Sequence, residues 1–161
     1  MAIKIFCDGS TRISNKKNTN NIGGYGYIVY NDNIIIDAFS EQRNNTTNNE
    51  MELTALVTVI EKYGTNDAWN CPTIYTDSQY AIKCLTVWGQ KWAVNDWKKS
   101  DGQIIENLKL IQKGYNLLSD GKHCVNIEYC KGHNGIEGNE LADKLATGTM
   151  AIKEIFSIVS K

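Results

Sequence analysis

Four acidic residues stand where elements of the chain should begin or end, and carboxylates so placed can do metal chemistry. Asp8 follows the run Ile3-Lys4-Ile5-Phe6-Cys7, Glu52 falls in the first turn of a helix opened by Thr47, Asp77 closes Thr73-Ile74-Tyr75-Thr76, and Asp143 sits in a helix over Glu137 to Thr147. Each alone reads as a cap or an exposed charge. Acids at the carboxyl ends of strands in a mixed sheet, however, converge on one edge. Carboxylates packed together repel and raise one another's pKa unless cations lie between them. Their hard oxygen atoms select Mg²⁺ or Mn²⁺ over zinc. Two such ions about 4 Å apart can clamp both the attacking water and the leaving oxygen of an in-line phosphodiester displacement. Asp8 is the least ordinary of the four, because Gly9 beside it permits a sharp turn.

To bring these acids together the chain needs a sheet backed by helices. Ile3 to Cys7 alternates in the manner of a strand, and Tyr25 to Tyr30 and Ile34 to Phe39 follow as β-rich runs joined by the turn-like Asn31-Asp32-Asn33, which gives a three-strand meander. Thr47-Asn48-Asn49-Glu50 matches a capping box, and Leu53, Leu56, Val57 and Ile60 recur at helical spacing until Gly64. After Cys71-Pro72 the strand to Thr76 hands over at Asp77 to a helix beginning near Ser78. A Trp-rich segment from Trp88 to Trp97 follows, then a helix from Ile104 to Leu118, a strand from Val125 to Cys130 and the helix of Asp143. This alternation predicts a mixed sheet with helices on its faces. The Asn-rich stretch Asn15 to Asn21 reads as a solvated loop. Ile152, Ile155, Phe156 and Val159 have helical apolar spacing, so residues 150–161 are expected to form a tail docked on a domain spanning 1–149.

A length of 161 residues, 42% hydrophobic and 22% charged, fits one domain with its own core. No apolar run approaches the roughly 20 residues that cross a bilayer, and no membrane partner is expected. The cysteines Cys7, Cys71, Cys84, Cys124 and Cys130 are odd in number and form no C-x-x-C pair, so a disulfide is not expected and a reducing, cytoplasmic setting is. The net charge of −1 gives no basic surplus to neutralise phosphates, so a polyanion would have to be drawn by local clusters or by bound cations.

Four motifs carry a family resemblance: Asp8-Gly9-Ser10, Thr46-Thr47-Asn48-Asn49-Glu50-Met51-Glu52-Leu53, Thr76-Asp77-Ser78-Gln79-Tyr80, and the run from Gly132-His133 through Gly138-Asn139-Glu140 to Ala142-Asp143 and Ala146. Taken in order over residues 3 to 147, the sequence resembles the type 1 ribonuclease H family. The resemblance implies an α/β fold of the ribonuclease H-like kind. Its five-stranded mixed sheet would combine a three-strand antiparallel meander with parallel strands, flanked by helices on both faces. It further implies a monomeric endonuclease that cuts the RNA strand of RNA/DNA hybrids with two Mg²⁺ ions, for which Mn²⁺ can substitute, leaving 5′-phosphate and 3′-hydroxyl ends. Asp8 would bridge both ions, Asp143 would hold the one that activates water, and Glu52 and Asp77 the one at the leaving 3′ oxygen. His133, on a loop between Gly132 and Gly135, would assist proton transfer or product release, whereas His123 reads as plain surface.

The same resemblance implies which residues meet the substrate. A selective enzyme must contact 2′-hydroxyls on one strand and deoxy geometry on the other. Gly9, Ser10, Asn48, Asn49 and Gln79 match positions beside the cleaved strand and in the minor groove, and Thr47 one that helps hold a DNA-strand phosphate. Thr47 or Asn48 can equally cap the helix. Trp88, Lys91, Lys98 and Lys99 match a basic handle, with Trp88 and Trp92 four apart and therefore on one helical face. Asp96 and Asp101 offset those lysines, and the tryptophans can equally pack on the following helix. The segment Thr11 to Ile22 departs from the family's short Gly- and Pro-rich loop, so no substrate contact is transferred to it.

Two rivals fit less well. Asp8-Gly9-Ser10-Thr11 has the look of a phosphate loop, but the length is too short for two lobes, Ser10 stands where a phosphatase needs a second acid, and no G-x-x-x-x-G-K-[ST] loop is present. A binding module that kept the fold and lost catalysis would not need all four acids and His133.

Overall fold

The computed structural model describes residues 2–15 and 18–159. Its centre is a five-stranded mixed sheet in the order β3-β2-β1-β4-β5. The strands are β1 (Ile3–Asn15), β2 (Asn18–Asn31), β3 (Ile34–Asn44), β4 (Thr73–Thr76) and β5 (Asn126–Tyr129). β1, β2 and β3 form the antiparallel meander, and β4 and β5 add to β1 in parallel. The helices are α1 (Asn48–Tyr63), α2 (Gln79–Lys83), α3 (Gly89–Val94), α4 (Leu108–Ser119), α5 (Glu137–Thr147) and α6 (Ile152–Val159), with a π-helical stretch, Cys84–Trp88, joining α2 to α3.

Alternation along β1 and β2 sends side chains to two faces, and each face has its own core. Ile5, Cys7, Tyr27 and Val29 pack with Met51, Leu53, Leu56 and Ile60 of α1 and Ile111 of α4. Phe6, Ile28 and Tyr30 pack on the opposite face with Ala142 and Leu145 of α5 and Ile155 of α6. Ile155 is buried; the side chain of Val159 lies outside the described residues.

Four expectations change. The segment Thr11 to Ile22 is not a loop: β1 and β2 continue pairing through Arg12↔Ile22, Ile13↔Asn21 and Asn15↔Asn18, and residues 16–17 lie outside the described ones. Ladder bonds between neighbouring strands override the poor strand propensity of asparagine. The helix expected from Ile104 begins only at Leu108, because Asn107 takes a left-handed conformation, φ 58°, that interrupts a helix. The capping box is half made: Thr47 accepts the Glu50 amide, but the Glu50 carboxylate turns to the Thr46 hydroxyl instead. Finally, Cys71 and Cys124 are disulfide-bonded with Cα atoms 5.5 Å apart. Register explains this pair: Thr73 lies opposite Asn126, so the cysteines two residues before each meet at the start of parallel strands. The argument from unpaired cysteines to a reducing, cytoplasmic setting loses its footing.

Candidate active site

The edge at which the acids meet is made by a mismatch in strand length. β4 pairs with β1 only through Phe6↔Tyr75, so β1 runs on past its neighbour and Asp8 emerges where that neighbour has ended. Asp8 thus stands within a strand, opposite Gly26, rather than at a strand's exit. Gly9 does not turn the chain. A β-carbon there would lie 2.2 Å from the carbonyl carbon of Met51, so glycine lets α1 come close enough to bring Glu52 beside Asp8. Asp77 follows the last residue of β4, and Ser78 caps α2 by accepting the amide of Ala81.

The result is a compact triad: carboxylate oxygens of Asp8, Glu52 and Asp77 all lie within 4.8 Å of one another. Asp143, on α5, is not one of the three acids in that group, but it lies near enough to Asp8 for its carboxyl to act on it. Burial, then the charge of Asp77 and the Asp143 carboxyl, push Asp8 up to about 9. Asp77 is raised as well, first by burial, with the charge of Asp143 adding to it and that of His133 opposing it. Glu52 is raised by burial and by Asp77. Three carboxyls held up in this way form an all-oxygen donor set whose mutual repulsion a hard divalent cation would relieve, so the residues fit such an ion.

His133 is exposed on the turn after β5, with φ 55°, near enough to Asp77 for its charge to act there. Thr47, Asn48 and Asn49 open α1 and Gln79 opens α2, so these short polar groups flank the triad; Asn49 and Gln79 are exposed. Thr47 caps α1, and Asn48 donates its side-chain amide to Oε1 of Glu52 at 3.0 Å. Ser10 is half-buried on β1, two residues beyond Asp8 on the same face.

The expected handle residues lie in and just after the π-helical stretch and α3. Trp88 and Trp92 are 6.0 Å apart between ring centroids and, with Tyr80, Lys99 and Ile105, line a surface cavity of about 410 Å³. Lys91 and Lys98 are exposed nearby. Trp97 packs edge-on against Tyr115 of α4, the packing role, at 5.5 Å. Two residues escaped the sequence reading. Ser78 donates its hydroxyl to Oε2 of Glu52 at 2.8 Å, across a separation of 26 residues that no local pattern signals. Gly132 backs Asp77; its place beside His133 was legible, its contact was not.

The family model described as RNase H matches residues 1–151. Ribonuclease H of Schizosaccharomyces pombe is 39% identical over 145 residues, 88% of this chain, which spans only about half (50%) of that relative. Ribonuclease H of Paracidovorax citrulli is 35% identical over 144 residues, covering 89% of this chain and 91% of the relative. Among solved structures, the RNase H domain of PFV matches with a TM-score of 0.77 at 23% identity, over 91% of this chain and 92% of that one. LC9-RNase H1, a type 1 RNase H with the type 2 active-site motif, matches with a TM-score of 0.67 at 27% identity, over 92% and 71%. A foamy viral protease-reverse transcriptase in complex with RNA/DNA hybrid has a TM-score of 0.78 at 21% identity, over 91% of this chain and 20% of its own.

Proposed function

This chain belongs to the RNase H family, and from that premise we propose that it is an endonuclease hydrolysing the RNA strand of RNA/DNA hybrids. The observation that carries the proposal is the meeting of Asp8, Glu52 and Asp77 within 4.8 Å, with Asp143 near enough to act on Asp8. Three acids this far apart in the chain gain nothing from such crowding unless a cation sits among them, and the crowding raises their pKa values at a cost to the metal-free fold.

Asp8, Glu52, Asp77 and Asp143 would together hold two divalent ions. Divalent cations, Mg²⁺ or Mn²⁺, would supply Lewis acidity to the scissile phosphate and lower the pKa of the attacking water. The chain's own residues do the rest. Ser78 and Asn48 orient Glu52, and His133, exposed at the rim, would assist proton transfer or product release. Thr47, Asn48, Asn49 and Gln79 offer short donors and acceptors to the hybrid's minor groove, where 2′-hydroxyls mark the strand to be cut. Gly9 and Ser10 line the strand's path past Asp8, and Trp88, Lys91, Lys98 and Lys99 form a platform of rings and cations for the DNA strand. Attack in line with the 3′ oxygen would leave a 5′-phosphate and a 3′-hydroxyl.

The test is a labelled RNA/DNA hybrid with Mg²⁺, beside duplex DNA and duplex RNA. The wild type should cut only the RNA of the hybrid, and Asp8→Asn should bind it uncut. A wild type that binds without cutting would make the chain a binding module, and an Asp8→Asn variant cutting at the normal rate would remove Asp8 from the chemistry.

A further inference from the structure

We propose that Ser78 is a positioning residue: its hydroxyl, with the Asn48 amide, fixes the Glu52 carboxylate in the orientation that a divalent cation requires. The inference rests on the function proposed above and deepens it. Ser78 is buried, 4% exposed, between Asp77 and α2. Its single hydroxyl proton has a defined direction, because its oxygen already accepts the Ala81 amide at 3.0 Å, which leaves the proton for Oε2 of Glu52 at 2.8 Å. Asn48, one turn before Glu52 on α1, donates to the other oxygen, Oε1, at 3.0 Å.

The carboxylate is therefore gripped at both oxygens by donors from two different elements, and its rotamer is fixed before any ligand arrives. Each carboxylate oxygen has a second lone-pair site, so the grip leaves both oxygens able to coordinate. Without it, a half-exposed glutamate on a helix samples several rotamers, and holding one of them would be charged against cation binding. Ser78 also links two acids mechanically. It follows Asp77 directly and holds Glu52, so the end of β4 sets the position of both.

A cap alone explains the Ala81 bond but not the proton sent to Glu52, and the two roles separate by experiment. Mg²⁺ binding to the substrate-free protein is followed by calorimetry and by the rise in melting temperature it produces. Ser78→Ala should weaken Mg²⁺ binding about 10-fold, the low end of the losses that follow removal of a partner of a metal ligand, and should shrink the Mg²⁺-induced rise. Ser78→Thr, which keeps the hydroxyl, should restore both. A purely structural cap would lower the melting temperature equally with and without Mg²⁺ and leave the affinity alone, and that result overturns the proposal, as does a Ser78→Thr variant that binds Mg²⁺ as weakly as Ser78→Ala. Should Ser78→Ala fail to fold, Ser78→Cys, whose thiol is a poor donor, is read in the same way. Because these measurements contain no hybrid, a wild type that binds Mg²⁺ yet cuts nothing would defeat the nuclease reading and leave the role of Ser78 standing.

Discussion

Gly132 stands directly against the carboxylate of Asp77: a β-carbon added at residue 132 would lie 2.6 Å from Oδ2 and 3.5 Å from Cβ of Asp77. The atom most in the way is the far end of a side chain, which can swing aside. Gly132→Ala should therefore keep its urea midpoint and displace Asp77, with kcat on hybrid falling about 10²-fold, as misplacements near 1 Å do. An unchanged kcat would show that Asp77 has no positional duty.

Gly9 is the opposite case. The atoms facing its missing β-carbon are backbone, the Met51 carbonyl carbon at 2.2 Å and the Glu52 amide nitrogen at 2.3 Å, and backbone cannot step aside locally. Gly9→Ala should cost about 3 kcal/mol of stability and lower the melting temperature by about 10 °C. Calorimetry checks this, and a melting curve that matches the wild type would mean that α1 can retreat without loss.

The raised carboxyls make a pH prediction with a definite sign. Asp8 is lifted from 3.8 to about 9, so the folded protein holds a proton that the unfolded chain releases. The folded state is thereby favoured at low pH, and this contribution declines as pH rises from about 4 to about 9. Asp77 and Glu52 are shifted in the same direction. With divalent cations chelated, the melting temperature should fall between pH 5 and pH 9, and Asp8→Asn should flatten that slope and raise the melting temperature at pH 8. Mg²⁺ should stabilise the wild type more at pH 8 than at pH 5. Asp37 works the other way in acid: despite burial, hydrogen bonds from Tyr63 and Lys62 hold it below the usual carboxylate range, and its contribution disappears below about pH 4. A metal-free wild type whose stability rises from pH 5 to pH 9 would contradict the crowding of these acids.

The Cys71–Cys124 bond closes a separation of 53 residues. Restricting an unfolded chain over that span is worth about 2–4 kcal/mol. Adding a dithiol reductant should lower the unfolding free energy in urea titrations by that amount, and the double variant Cys71→Ser, Cys124→Ser should start from the lower value and show no response to reductant. A wild type equally indifferent to reductant would show that the bond does not form.

How much of this was written in the chain differs by kind of interaction. Strands and helices with strong periodicity, such as Ile3–Cys7 and the Leu53-Leu56-Ile60 stripe, were legible because burial of one face dictates their spacing, and their alternation pointed to a three-strand meander within a mixed sheet. The four acids stood out by their places at element ends, and the structure brings Asp8, Glu52 and Asp77 into one cluster. What was hidden depended on partners distant in sequence. Extension of the β1–β2 pair past Thr11 is decided by ladder bonds that asparagines do not advertise. The pairing of Cys71 with Cys124 needs the parallel register of β4 and β5, and the hydrogen bond from Ser78 to Glu52 needs α1 laid against the end of β4. The left-handed Asn107, which delays α4, carries no local sign beyond being an asparagine.

The two ends of β4 are treated very differently. Its beginning is riveted: the cysteine bond ties it to the strand beside it, and Cys124 is bridged in turn to the backbone of Thr65 after α1. Its finish, about 10 Å away at the rise of an extended chain, carries Asp77 and is held instead by hydrogen bonds, Cys130 to Thr76 and Ser78 to Glu52. A strand clamped covalently at its heel keeps a constant frame, so a disturbance at Asp77 must travel the length of β4 before it reaches the clamp.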